Sequence, residues 1–154
     1  MKKMNNKGFS LVELIIVIAI MAILVGVMAP SLMKYIEKSR YSSDVQIIDN
    51  AYSALKYAMA DETAYQEALS ITGIVSFDDI LSGSKGAKLG AEVKDVFGSG
   101  SYTFKSKAFA AGSGTQSVIN VEVVGSEFKV TVTSKDAKYD SVTLPKATAS
   151  GASS

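Results

Sequence analysis

Residues 9–29 read FSLVELIIVIAIMAILVGVMA, and only Ser10, Glu13 and Gly26 within them are not apolar. Eighteen apolar residues in 21 leave no polar face, so the run is not one side of an amphipathic helix. As a helix it rises ~1.5 Å per residue and measures roughly 31 Å, close to the ~30 Å hydrocarbon core of a bilayer. The residues before it, Met1–Gly8, are short and basic through Lys2, Lys3 and Lys7, which predicts that this end faces the cytoplasm. A secretory signal has a similar start, but no small-residue cleavage site follows the run before the polar region opens at Lys34. The segment is expected to enter a membrane and to leave the rest of the chain outside.

The whole chain of 154 residues is 47% apolar, but that average joins two unlike objects. Beyond Ala29, 53 of the remaining 125 residues are apolar, an ordinary share for a domain that holds one core. The chain has no Cys and no His. This removes disulfides, thiol nucleophiles, the commonest general base and zinc sites built on either residue. A formal charge of +1 gives no reason to expect a polyanionic partner.

The helical pattern continues past the apolar run. Between Ser31 and Thr72 there is neither Gly nor Pro, whereas ten of the twelve glycines lie from Gly73 onward. Tyr41, Val45, Ile48, Tyr52, Leu55 and Met59 recur every three or four residues, as one apolar stripe of a helix does. Asp44, Gln46, Asp49, Ser53 and Lys56 fall off that stripe. A single helix from Phe9 to about Ala60 measures roughly 78 Å, against about 30 Å for a domain of this size, so half of it should protrude and need lipid or other chains around it.

After Gly73 the chain becomes rich in Gly, Ser and β-formers. Residues 60–100 are hard to read, with short helices expected near Thr63–Leu69 and Phe77–Leu81. Tyr102–Ala110 alternates as a strand does. Gly125-Ser126 suits a type II′ hairpin turn, which would pair Val123 with Phe128, Val121 with Val130 and Ile119 with Val132 on one face. Glu122–Lys129 and Asn120–Thr131 then pair on the other, so both faces agree with one register. Tyr139–Leu144 is expected as a further strand that stops at Pro145, followed by a small polar tail, 147–154. The fold class expected is α+β, a long N-terminal helix on a roughly four-stranded antiparallel sheet.

Lys7-Gly8-Phe9-Ser10-Leu11-Val12-Glu13-Leu14, followed by an unbroken apolar run, resembles the signature of type IV pilins and their relatives. The likeness covers about the first 30 residues. It implies a cleaved leader at 1–8, an apolar membrane and filament-core helix at 9–33, and a globular head at 34–146. It further implies cleavage by a prepilin peptidase between Gly8 and Phe9 and N-methylation of Phe9. The precursor would be a single-pass protein of the cytoplasmic membrane, later extracted into an extracellular homopolymeric filament by an assembly ATPase and platform protein. No cofactor, metal or catalytic residue is expected, and the chain is not expected to be an enzyme.

The residues give this a physical footing. Glu13 is the only charged side chain between Lys7 and Lys34, and a carboxylate in lipid is costly unless paired. Cleavage after Gly8 creates an ammonium at Phe9, which Glu13 of a neighbouring subunit can neutralise and which fixes axial register. The plainer alternative is that Glu13 reaches the interface or bonds within its own first turn. Pro30 has no N–H, so the Gly26 carbonyl loses its helical partner, and Gly26 is itself a weak helix former. A kink is expected there, and the resemblance implies local melting at Gly26–Pro30 in a filament.

Other signals are weaker. Asp78-Asp79 and Asp136/Asp140 lack the spacing of a calcium loop. Tyr41 and Tyr52 belong to the core stripe, and Lys105 with Lys107 is too few to indicate nucleic acid. The reading is a structural subunit, most like a major pilin, of a type IV pilus serving adhesion, twitching motility, biofilm formation or DNA uptake. The alternatives are a pseudopilin of a type II secretion or competence system, and a membrane-anchored enzyme or binding protein that never polymerises.

Overall fold

The computed structural model describes residues 9–98, 100–110 and 115–146. The leader 1–8, with Gly8, and the tail 147–154 lie outside the described residues. The chain divides into two compact units, Met1–Lys38 and Ser39–Ser154. One helix, α1 (Leu11–Ala58), supplies the described secondary structure of the first unit and the opening of the second. Helix α2 (Glu62–Leu69), strand β1 (Ile74–Ser76), helices α3 (Phe77–Leu81) and α4 (Ala87–Phe97), and strands β2 (Asn120–Val124), β3 (Glu127–Val132) and β4 (Val142–Leu144) follow.

The four strands form one antiparallel sheet in the order β1-β2-β3-β4. The hairpin has the expected register, with Val121 opposite Val130, Val123 opposite Phe128 and Glu122 opposite Lys129. Gly125 turns the chain at φ +65, and among the described residues none other than glycine has positive φ. That combination, positive φ at the first turn position only, is the II′ geometry. On the outer face the Lys129 and Glu122 side chains pair at 3.5 Å. The edge strands β1 and β4 have three residues each.

In the head, α1 packs on this sheet and shares one core with it, through Ile48, Leu55, Val121, Phe128, Val130 and Leu144. Each large apolar side chain so buried contributes about 1.5–3 kcal/mol. This α+β arrangement matches the type IV pilin fold. The helix is turned, however, from the orientation that its large side chains suggest. The fully buried line is Asp44, Ile48, Ala51, Leu55 and Ala58, while Tyr41, Val45, Tyr52 and Met59 are half-buried beside it. Ala51, Ala54 and Ala58 put small side chains on the fully buried face, and the bulkier residues lie at the flanks.

Asp44, expected off the stripe, is fully buried. Its Oδ1 and Oδ2 accept the Lys105 N–H at 2.9 and 3.0 Å, and Oδ2 accepts the Ser106 N–H at 2.7 Å. This contact corrects a second expectation. Tyr102–Ala110 alternates as read, with Tyr102, Phe104 and Ala108 buried and Thr103, Lys105 and Lys107 exposed, but it is not a strand of the sheet. Two of its amides are satisfied by the Asp44 carboxylate instead of a neighbouring strand, and β1 takes the edge beside β2. Of Tyr139–Leu144, only Val142–Leu144 joins the ladder.

Between the helix and the hairpin, α2 and α3 lie where expected, and α4 is an addition. Gly90 obscures α4 in the sequence because glycine disfavours helix interiors. The packing requires it, since a Cβ there would meet the Ile80 carbonyl at 2.6 Å and the Gly83 Cα at 3.0 Å. No side chain of the chain's own turn caps α4. Glu67 of α2 does so, its Oε2 accepting the Leu89 N–H at 2.8 Å.

Tyr102 ties this region together. Its hydroxyl donates to Asp78 Oδ2 and accepts from the Ile119 N–H, both at 3.2 Å. Burial pushes its pKa from 10.0 up to about 12. The folded protein therefore holds this proton more tightly than the unfolded chain. The resulting stability is fully present below pH 10 and is lost as pH rises through 12, about 2 kcal/mol of it by pH 12. Urea titrations from pH 9 to 12 should show wild type losing that much more than Tyr102→Phe; parallel curves for the two proteins would contradict it.

Candidate functional site

The first turn of α1 is built from Phe9, Ser10 and Glu13. Ser10-Leu11-Val12-Glu13 has the spacing of a capping box, and the structure makes the reciprocal half of it, with the Ser10 N–H donating to Glu13 Oε2 at 2.8 Å. The Leu14 N–H donates to the Ser10 carbonyl at 3.2 Å. Glu13 thus satisfies an amide that the helix itself leaves unpaired, and its charge lies at the positive end of the helix dipole. Of the candidate residues, Glu13 and Phe9 are brought to one turn, Phe9 being 94% exposed. The carboxylate bonds the next residue's amide, not Phe9.

Above this turn the helix is apolar on every side. Its most apolar 18-residue window has a mean hydropathy of 3.0, and none of that window is buried. Ile15, Ile18, Leu24 and Met28 are each more than half exposed. Such a surface is far larger than the apolar patches that monomers leave in water, so it belongs in lipid or against other chains.

Gly26 and Pro30 sit within this stretch, and α1 runs through both without a break. A Cβ built on Gly26 meets nothing within 4 Å. Nothing in the single chain therefore demands a glycine there. Since Pro30 offers no N–H to the Gly26 carbonyl, this is the weakest point in the helical hydrogen-bond ladder.

Two residues escaped the sequence reading. Ser10 was legible in the S-x-x-E spacing. Asp44 was legible in the series Asp44, Ile48, Ala51, Leu55, Ala58, where an acid occupies a place that the 3.6 period assigns to the core. Elsewhere in the head, a cavity of about 360 Å³ is lined by Glu67, Ser70, Thr72 and Lys85 among others. Glu67 is already engaged with α4. Among the described residues, no three His, Cys, Asp or Glu side chains gather as a metal site would require.

Residues 3–29 match the prokaryotic N-terminal methylation motif. No curated protein and no solved structure matches the chain. The motif is the prepilin signal, and it implies a prepilin peptidase substrate destined for pilus or pseudopilus assembly. It covers the capped first turn and most of the exposed apolar helix, and such a helix anchors a precursor in a membrane. Residues 3–29 thus carry a prepilin-type signal, and this motif supports a precursor of the type IV pilin-like or pseudopilin kind.

Proposed function

We propose that the chain is a structural pilin, cleaved between Gly8 and Phe9, methylated on Phe9, held in the cytoplasmic membrane with its N-terminus inside, and polymerised into an extracellular type IV pilus. The observation that carries this is the exposed apolar helix with one carboxylate in its first turn. Copies packed side by side bury that surface, and Glu13 then faces the ammonium that cleavage creates on a neighbouring Phe9. Buried together, the two charges compensate; either alone is penalised by several kcal/mol. In this reading Gly26 and Pro30 supply a stretch that melts when helices crowd in the filament. Leader loss also changes the charge. The precursor carries 16 basic and 15 acidic side chains, and removing Lys2, Lys3 and Lys7 leaves 13 against 15, or −2.

Deleting the gene and imaging the cell surface by electron microscopy tests the reading. Long thin filaments should disappear, and mass spectrometry of sheared filaments should find a chain beginning with methylated Phe9. Filaments that persist unchanged would assign the chain a minor or pseudopilin role. A membrane-bound chain with Met1–Gly8 intact would remove assembly altogether.

A further inference from the structure

The apolar surface of α1 ends abruptly. Leu11–Met33 spans 23 residues, ~34 Å at the helical rise, which a modest tilt fits to a ~30 Å hydrocarbon core. Seating that span places Lys34, Tyr35 and Lys38 at the level of the headgroups, on the side of the head. Lys34 and Lys38 are four residues apart, one turn up the same helix face, and both are exposed. Glu37 between them is half-buried. Tyr35 is 69% exposed, and an amphipathic ring at this depth suits the interface. Lysine stems lie along apolar surface while their ammonium groups reach outward.

From these features the geometry points to a lipid-binding collar: Lys34 and Lys38, with Tyr35 beside them, recruit anionic phospholipid headgroups in the leaflet facing the head. This rests on the membrane-held reading above and adds to it a lipid class, a leaflet and the residues responsible. Charge complementarity selects the ligand, because two exposed ammonium groups on one face meet headgroup phosphates whose net charge is uncompensated only in anionic lipids. Each basic residue near such a surface is worth about 1 kcal/mol, or about fivefold in relative affinity.

The chain has no Trp, so Met33→Trp places a single tryptophan, excited apart from the tyrosines, one residue below the collar. The full chain carrying it is reconstituted in phosphatidylcholine vesicles containing one-third phosphatidylglycerol, with either lipid brominated in turn. At equal mole fraction of the brominated species, phosphatidylglycerol should quench as though its binding constant at the helix were roughly tenfold that of phosphatidylcholine, so that it fills most of the lipid positions there. The preference should vanish with Lys34→Gln/Lys38→Gln and fall in high salt. Equal quenching by the two lipids overturns the collar while leaving membrane retention intact. A preference that survives the double substitution overturns the assignment to these lysines. Filament loss in the double variant without any change in lipid preference overturns it too, in favour of contacts between subunits. Absence of quenching by either lipid overturns the membrane reading on which the collar depends.

Discussion

Glu13→Ala is expected to yield a stable, membrane-held chain that forms no filaments, with assembled material at least about a hundredfold below wild type. The apolar helix is unchanged by the substitution, so anchoring persists. Each added subunit would instead bury a Phe9 ammonium with no counter-charge, at a penalty of about 3–5 kcal/mol, and 1.4 kcal/mol is already tenfold in an equilibrium. The substitution also deletes the bond from the Ser10 N–H to Glu13 Oε2, a contribution of about 1 kcal/mol at most to an exposed helix end. Glu13→Gln separates the two effects, because its amide oxygen can still accept from Ser10 while its charge is gone. If charge pairing governs assembly, Gln fails as Ala does in immunoblots of the sheared surface fraction. Wild-type filament yield from the Gln variant would instead make Glu13 a helix cap and nothing more.

Asp44→Ala should be the most destabilising single change in the head, by about 3–5 kcal/mol. It strands the N–H groups of Lys105 and Ser106, and a buried donor left without its acceptor costs about 1–3 kcal/mol. It also opens a hole on the face of α1 that meets the core. For a domain of this size the Tm should fall on the order of 15 °C or more. The near-ultraviolet signal of the tyrosines, recorded on the full chain in detergent, follows the head and not the apolar helix. Asp44→Asn keeps one acceptor oxygen but aims an amide NH2 where a backbone donor already points, so it should recover only part of the loss. A drop of less than about 1 kcal/mol for the Ala variant would show that water can replace the carboxylate.

Asp44 also marks where sequence reading gave out. Local rules carried the hairpin, because Gly125 settles the turn and the alternation on both sides of it admits one register. The short helices expected near Thr63–Leu69 and Phe77–Leu81 also formed, and the structure shows Asp61 and Ser76 capping their starts. The segment Tyr102–Ala110 alternates as a strand does, yet whether an extended segment pairs with a sheet depends on what else satisfies its amides. That answer lay on a helix some sixty residues earlier. Helix α4 was hidden for a related reason, since Gly90 answers to a contact with the Ile80 carbonyl and Glu67 supplies its cap from another helix. At the candidate site the balance was reversed. Phe9, Glu13, Gly26 and Pro30 stand out in the sequence because each breaks a pattern or begins one, and the single chain adds the Ser10 contact to that list.

The sheet edges carry a consequence of their own. A chain of this kind is proposed to be stored at high density in a membrane and then stacked in large numbers with its heads side by side. Crowding of that sort is the condition under which β-structure recruits more β-structure. Strands β1 and β4 end the sheet after three residues each, so an incoming strand finds a short row of hydrogen-bonding groups and little to hold it. Growth by strand addition is thereby starved at both edges, and the order that copies adopt is left to the helix. The brevity of the outer strands works as insulation, keeping each head a separate bead on whatever the helices build.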